Sequence, residues 1–267
     1  MLSEIALGQY FPGNSALHRM DSRVKIVCLL FFMVGIFVFS TAASYALFSA
    51  VLVCLIILSG LPFRMMAKSV KPLWWILLFT FAIHLFSVPG EEIFRFWKFS
   101  VTWEGLRQGS FVSLRLILLI LFSSLLTFTT SPLKLTDGLE DLLSPFKRIG
   151  VPSHELAMMM TIALRFIPTI LSETDKIIKA QRARGADFSS GSIAARMKLF
   201  VPILVPLFVS AFRRAEELAA AMESRCYRGG EGRTRRKELC VGFLDYLAMF
   251  FAVLLCVVLI FLQGKGW

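Results

Sequence analysis

Residues 26–63 read IVCLLFFMVGIFVFSTAASYALFSAVLVCLIILSGLPF, and none of their side chains is charged. A helix of this length would extend about 57 Å, close to twice the hydrocarbon thickness of a bilayer. The polar segment STAAS at 40–44 lies near the middle of the run. We therefore expect two membrane-spanning helices, at about 24–40 and 44–61, joined by a tight turn.

Three more apolar runs predict three further spans. They extend from Pro72 to Val88, from about Phe111 to Thr130 and from Tyr246 to Gln263; the first contains His84 and the second contains Arg115. Of the 267 residues, 57% are hydrophobic, 26 are Phe, and the mean hydropathy is +0.71. Because a soluble domain of this size cannot bury so much apolar surface, lipid is the expected solvent. The predicted fold class is all-α, a polytopic membrane protein with about five transmembrane helices.

Positive charge is concentrated between the fourth and fifth spans. The chain has 29 Lys and Arg against 18 Asp and Glu, a net charge of +11, and 18 of the basic residues lie at positions 131–240. With five spans, two shorter basic segments at 19–25 and 64–71 lie on the same side of the membrane as this insert. By the positive-inside rule that side is the cytoplasm, and the mixed-charge segment 89–107 lies outside.

The insert is predicted to be helical in three pieces, because its apolar residues recur every three, four or seven positions. The second and third pieces are long and amphipathic. Pro168, Pro202 and Pro206 interrupt them and charges divide their apolar stretches, so we expect both to lie along the inner membrane surface rather than cross the membrane. The expected organisation is a cytoplasmic leader at 1–23, four transmembrane helices within 24–130, a cytoplasmic module at 131–237 with helices at about 132–149, 153–187 and 192–229, and a final transmembrane helix within 238–267.

Each long amphipathic stripe ends in an arginine that is followed by helix-ending residues. One stripe passes Gln181 and reaches Arg184, and the other passes Met222 and reaches Arg225. Such an arginine can simply complement the helix dipole. It can also present a forked donor to carboxylates or carbonyls in the groove of a partner. Two parallel cases in one insert favour the docking role.

The chain resembles the EcfT family of transmembrane coupling subunits of energy-coupling factor transporters, which is related to the CbiQ-type cobalt transport subunit. The resemblance covers essentially the whole chain in order. The segments that carry it are YFPGNS at 10–15, LHRMDSRVK at 17–25, LRFIP at 164–168, QRARGADF at 181–188, RRAEELA at 213–219 and MESRCYRGG at 222–230.

This resemblance implies a coupling subunit of an ABC-type importer for vitamins or other micronutrients. The chain would lie in the plasma membrane of a prokaryote as a multi-pass protein, with its N-terminus and its three coupling helices in the cytoplasm. Its implied partners are two ABC-type ATPase subunits (EcfA and EcfA′), a membrane-embedded substrate-binding S component, and the lipid bilayer. The implied ATPase-docking residues are Ala183, Arg184, Gly185, Ser224, Arg225 and Cys226. The second motif reads Ser-Arg-Cys where the family often has Ala-Arg-Gly, which leaves the ending of that helix open.

In the implied mechanism, ATP binding draws the two ATPases together and moves the two helix ends with them. The long helices then act as levers and shift the apolar surface that holds the S component. Met158, Met159 and Met160 are candidate S-component contacts, because methionine contacts are adaptable. The alternative for each of the three is packing within this chain.

Other functions are weighed against this one. A coupling subunit dedicated to cobalt or nickel uptake would share the same architecture. A membrane-embedded enzyme would need ionisable groups in the spans, and His84, Arg115 and Asp245 are the candidates. The chain has no phosphate-binding loop or metalloprotease motif, so we expect no enzymatic activity, cofactor or metal. The basic residues at 233–237 predict an anchor on anionic lipid rather than a nucleic-acid site.

Overall fold

The computed structural model describes residues 10–96, 99–186, 193–229 and 240–264. Ten α-helices account for most of these residues, which confirms the all-α polytopic expectation. They are α1 (Ala16–Arg19), α2 (Ser22–Val38), α3 (Ala42–Ser59), α4 (Phe63–Val70), α5 (Trp74–Ser87), α6 (Trp103–Thr129), α7 (Pro132–Leu143), α8 (Ser153–Ala183), α9 (Ile193–Glu223) and α10 (Phe243–Gly264).

A short hairpin outside this expectation connects α5 to α6. Strand β1 (Glu92–Phe96) pairs antiparallel with β2 (Phe99–Thr102), with Phe96 opposite Phe99. Aromatic and β-branched residues in both strands favour extended backbone. The Thr102 side chain then starts α6 by accepting a hydrogen bond from the backbone N–H of Gly105, at 3.1 Å.

The chain divides into two compact units. We call Gln9–Gly138 together with Glu238–Trp267 the membrane unit, and Leu139–Lys237 the charged unit. In the membrane unit, α6 is the central helix and contacts α2, α3, α4 and α5, while α10 contacts α2 and α3. The core of the unit is formed mainly by side chains from α2, α3 and α6, including Ile36, Tyr45, Phe48, Leu118 and Phe122.

Five described stretches are long and apolar enough to cross a membrane: Ala42–Ser59, Phe63–Ser87, Trp103–Thr129, Ser153–Ala183 and Phe243–Phe261. The number agrees with the prediction, but the set differs. It includes α8, which we expected to lie along the membrane, although α8 has the lowest hydropathy of the five at 1.4. It lacks α2, which has only 17 residues yet packs on α6 and α10 inside the membrane unit.

The α-helices of the charged segment are shorter than the spacing of its apolar residues predicts. The α-helix expected to extend to about residue 149 stops at Leu143 and continues as a 3-10 helix over Ser144–Ile149. Pro145 lacks the N–H that would reach the carbonyl of Asp141, and the Ser144 hydroxyl donates to that carbonyl instead, at 2.8 Å. The second helix ends at Ala183 and the third at Glu223, before the predicted bounds of 187 and 229, because a left-handed residue follows each helix. The predicted start at 192, the basic segment 233–237 and the first nine residues of the leader lie outside the described residues.

Candidate functional site

The C-terminal end of α8 is closed by a complete Schellman motif. The N–H of Ala186 donates to the carbonyl of Gln181 at 3.0 Å, and the N–H of Gly185 donates to the carbonyl of Arg182 at 3.0 Å. This pair of bonds requires a left-handed residue just after the C-cap, and Gly185 supplies it with φ of +90°. Arg184 is therefore the C-cap residue of α8.

The end of α9 repeats this geometry bond for bond. The N–H of Tyr227 donates to the carbonyl of Met222 at 3.0 Å, and the N–H of Cys226 donates to the carbonyl of Glu223 at 2.9 Å. These are again the two bonds of a Schellman motif. Arg225 thus holds the same position on α9 that Arg184 holds on α8.

Cys226 takes the place that glycine holds in α8. Its φ is +55°, and it is the only non-glycine residue with positive φ in the part of the chain that the structure describes. Left-handed backbone costs an L-residue with a side chain roughly 1–2 kcal/mol. The difference between the Ser-Arg-Cys and Ala-Arg-Gly sequences, which left this helix ending open, therefore leaves the backbone geometry unchanged. Ser224 and Ala183 occupy matching positions just before the two arginines.

Both arginines are exposed and available to a partner. Arg184 and Arg225 are each in the exposed class, as are Ala183, Gly185 and Cys226. Within the described ranges, neither guanidinium makes a hydrogen bond or an ion pair. Each guanidinium is a planar fork of five donors that stays charged at any physiological pH. Each helix end can therefore offer a bidentate donor to a carboxylate.

Helices α8 and α9 pack antiparallel within the charged unit. The hydroxyl of Ser210 donates to Glu173 Oε1 at 2.6 Å, and Gln181 Nε2 donates to the carbonyl of Pro202 at 3.5 Å. Moving forward along α8 thus means moving backward along α9. This orientation places the two C-terminal ends at opposite ends of the helix pair.

The distance between the two arginines follows from this orientation. Arg184 lies eleven residues beyond Glu173 on α8, and Arg225 lies fifteen residues beyond Ser210 in the opposite direction. At about 1.5 Å per helical residue, the arginines are separated by roughly 40 Å along the pair. A single compact partner site cannot hold both, so the geometry suits two docking sites.

One polar cluster joins the two helices between these ends. Glu173 accepts from Ser210 through Oε1, and its Oε2 is 3.0 Å from the guanidinium of Arg214. Sequence reasoning missed this cluster. In the sequence, Glu173 and Arg214 are ordinary charges outside the apolar stripes of their helices, and nothing there indicates that they pair. The cluster therefore fixes α8 against α9 at one point between the two arginines.

The three candidate S-component contacts lie in the first turns of α8. Met159 and Met160 are exposed and Met158 is half-buried. Antiparallel pairing brings this part of α8 towards the end of α9: a Cβ built on Gly229 would lie 4.0 Å from Glu155 Oε1. The methionines are therefore on the Arg225 side of the helix pair, and their role as S-component contacts stays a prediction.

A buried lysine near the start of α2 holds the C-terminal end of α6. Lys25, 8% exposed, donates from Nζ to the carbonyl of Thr129 at 3.2 Å and to the hydroxyl of Thr130 at 2.9 Å. Both acceptors are buried at the end of α6, just before α7. In the sequence, Lys25 is simply the last charge before an apolar run, and nothing there indicates its partners.

A buried aspartate in the first turn of α10 makes comparable contacts with the start of α2. Asp245, 3% exposed, accepts from the backbone N–H of Asp21 at 2.9 Å and from that of Gly242 at 2.8 Å. Asp21 in turn caps α2 and pairs with Arg23 at 2.7 Å. Burial acts to raise the pKa of Asp21, but the hydrogen bonds and charge of Arg23 outweigh it and hold this pKa below its usual value. Polar contacts at the start of α2 thus hold both the end of α6 and the start of α10 within the membrane unit.

The groups considered for a membrane-embedded enzyme make structural contacts. His84 Nδ1 lies 2.8 Å from the carbonyl of Thr80, one turn earlier in α5. Arg115 donates from Nε to the Tyr45 hydroxyl at 2.9 Å and lies over the ring of Phe37 at 5.6 Å from its centroid. Within the described ranges, no group of three or more His, Cys, Asp or Glu residues is placed to hold a metal ion.

Comparison with known proteins identifies the family. Residues 13–236 match the CbiQ family, described as cobalt transport protein. The chain is 58% identical over 264 residues to the energy-coupling factor transporter transmembrane protein EcfT of Acidaminococcus fermentans, which covers 98% of both chains. It is 52% identical to the EcfT of Brevibacillus brevis, over 100% of this chain and 99% of that one. With the EcfT of Bacillus subtilis the identity is 47%, over 99% and 100%.

The matches extend across the leader, the membrane helices and both arginine-bearing helix ends. They agree with the apolar helices of the structure, which make the chain a multi-pass membrane protein. The chain therefore belongs to the EcfT family, the transmembrane energy-coupling components of energy-coupling factor transporters, within the broader CbiQ family.

Proposed function

We propose that this chain couples two ABC-type ATPase subunits to a substrate-binding S component during vitamin or micronutrient uptake, and that Arg184 and Arg225 are its ATPase-docking residues. The observation that carries the proposal is the equivalence of the two helix ends. Each arginine is exposed, lies in the Schellman motif that ends a 31-residue helix, and is followed by a left-handed residue. Two equivalent ends suit two homologous partners.

The docking chemistry is electrostatic and directional. The last carbonyls of α8 and α9 carry partial negative charge, so a C-cap arginine is stabilised there while its guanidinium extends outward. A groove that presents a carboxylate can then hold the guanidinium through two parallel hydrogen bonds. Flanking residues of small size, Ala183 and Gly185 on α8 and Ser224 and Cys226 on α9, let the groove walls approach the backbone.

The separation of the two ends supports a lever mechanism. ATP binding would bring the two ATPases together, and each would carry one helix end with it. Ends roughly 40 Å apart on opposite sides of the Glu173–Arg214 contact would change the angle between α8 and α9. The S component, held on an apolar surface that includes Met158, Met159 and Met160, would then change its orientation. In this scheme the N-terminus and the charged unit face the cytoplasm, as the positive-inside rule predicts.

The alternative, a subunit dedicated to cobalt or nickel uptake, has one observation in its favour: the family is described as cobalt transport protein. The relatives at 47–58% identity are instead named as energy-coupling factor subunits. We favour the coupling role for vitamins or micronutrients on that ground. In either case the S component, a separate polypeptide, would select the cargo.

Co-purification tests the docking residues. The full chain is co-expressed with its two candidate ATPases and an S component, and the complex is isolated through a tag on this chain. We expect Arg184→Glu and Arg225→Glu each to weaken ATPase retention by about thirtyfold, since loss of a docking arginine typically costs about 2 kcal/mol or more. The double variant should retain neither ATPase.

A matched charge reversal separates docking from general charge effects. Lys179, one turn before the end of α8, is exposed and pairs only with the neighbouring Asp175 among the described residues. Lys179→Glu should retain both ATPases and transport. Equal retention by all four variants would show that the arginines do not dock ATPases.

A further inference from the structure

A cleft of about 900 Å³ in the membrane unit belongs to neither helix end nor to the coupling mechanism. It lies between α4 and the second half of α6, and Pro72 and Leu73 of the 3-10 turn Lys71–Leu73 close one side. Both helices belong to the same compact unit and contact each other. The volume is within the range of about 300–1,000 Å³ that small-ligand sites occupy.

One rim of the cleft is cationic and rich in hydroxyl groups. Arg64 and Lys68 lie one turn apart on α4 and are both exposed. Opposite them, Ser123 and Ser124 line the cleft from α6, and their hydroxyls make no hydrogen bond within the described part of the chain. None of the described residues that line the cleft is acidic. The rim therefore suits an anion with several acceptor oxygens.

The rest of the cleft is apolar. Leu119, Ile120 and Phe128 line it from α6, and Met65 and Leu73 line it from the other side. A small hydrated anion would gain nothing from these walls. An amphipathic ligand with an anionic head and a hydrocarbon tail would satisfy both parts of the cleft.

Neighbouring aromatic residues place the cleft at the edge of the bilayer. Trp74 and Trp75 begin α5 immediately after the 3-10 turn, and they are 59% and 75% exposed. Tryptophan concentrates at the level of the lipid headgroups. A short helix with two cations and exposed Phe63 beside this belt is typical of an element lying in the interface. The occupant can therefore enter sideways from the membrane.

We propose that this cleft binds one anionic phospholipid of the adjoining leaflet. The phosphate lies against Arg64 and Lys68 and accepts hydrogen bonds from Ser123 and Ser124. One acyl chain extends along Ile120 and the other apolar walls. The bound lipid fills the space between α4 and α6.

Lipid titration of the full-length chain, followed by native mass spectrometry, tests the site. Dioleoyl-phosphatidylglycerol and dioleoyl-phosphatidylcholine are titrated separately into the delipidated chain. We expect one phosphatidylglycerol to bind at least tenfold more tightly than phosphatidylcholine. The double variant Arg64→Gln/Lys68→Gln should lose about thirtyfold in phosphatidylglycerol affinity, since each cation near anionic lipid contributes about 1 kcal/mol. Lys71→Gln, which removes a nearby exposed cation outside the cleft, should change this affinity less than twofold.

Two further measurements distinguish the occupants. Ile120→Trp, which narrows the apolar part and keeps the cations, should also weaken phosphatidylglycerol binding if an acyl chain lies there. Equal affinities for the two lipids, or equal losses in the double variant and Lys71→Gln, would overturn the proposal. So would displacement of the lipid by inorganic phosphate alone, which would indicate a free-anion site. A photoreactive group at Leu119 that captures a polypeptide instead of lipid in the assembled transporter would equally exclude it.

Discussion

Replacement of Lys25 by methionine removes a buried contact that joins the start of α2 to the end of α6. The Lys25 ammonium donates to the Thr129 carbonyl and to the Thr130 hydroxyl, and both acceptors are buried. Lys25→Met keeps the length of the side chain, so no large cavity forms. The two acceptors lose a charged donor, and their burial keeps bulk water from replacing it.

The magnitude follows from these contacts. Hydrogen bonds to a charged group contribute about 1.5–3 kcal/mol each, so two contribute roughly 3–6 kcal/mol. Removing a buried ammonium also removes the free energy of its desolvation, which offsets several kcal/mol of that gain. We expect a net loss of about 2 kcal/mol, equivalent to a fall in Tm of about 4–8 °C for a chain of this size.

Thermal unfolding in detergent, followed by size-exclusion chromatography, measures this loss. Lys71→Met is the matched control, because Lys71 is exposed and its removal should lower Tm by less than about 2 °C. Thr130→Val should lower Tm by a smaller amount. Its effect should shrink when it is combined with Lys25→Met, because the two residues share one bond. If Lys25→Met melts like Lys71→Met, or if the two effects simply add, the buried contact does not stabilise the unit as reasoned.

Two more predictions concern the charged unit. Cys226→Gly should relieve the left-handed strain at the end of α9 and stabilise that end by up to about 1 kcal/mol, whereas Gly185→Val should destabilise the end of α8 by at least as much, both read from amide hydrogen exchange. Faster exchange in Cys226→Gly would contradict the assigned backbone geometry. Glu173→Leu should separate α8 from α9, at a cost of about 1–2 kcal/mol, and raise protease sensitivity. Asp175→Leu, which removes only an exposed pair within α8, serves as its control, and equal sensitivity of the two variants would refute a role for the cluster.

The membrane architecture was predictable from local sequence alone. A charge-free run of 38 residues must lie in an apolar environment, and its length allows two crossings. Hydropathy predicts the individual spans less well, because the structure adds α8 to the candidate spans and leaves out α2. Helix α8 is apolar enough on average to cross a membrane because of the stripe on one side, whereas α2 is apolar throughout but has only 17 residues. Hydropathy averages over a helix and does not record which face is apolar.

The helix ends were predictable in part. Gly185 marks the end of α8 because glycine adopts positive φ freely, whereas a cysteine at the equivalent position of α9 carries no such signal. Cys226 adopts positive φ because the surrounding hydrogen bonds of the Schellman motif stabilise it. Only the folded structure shows that these hydrogen bonds at the end of α9 outweigh the preference of cysteine for negative φ.

By itself, the sequence determined the apolar spans, the charged helical insert and the two arginines at its helix ends. All three depend on residues close to one another in the chain. Tertiary structure decided that α8 and α9 pack antiparallel, so that Arg184 and Arg225 lie at opposite ends, and that Lys25 is bonded to the end of α6. An amphipathic stripe specifies which face of a helix is buried but not the direction of its partner. Contacts between residues about a hundred positions apart depend on the packing of the whole unit.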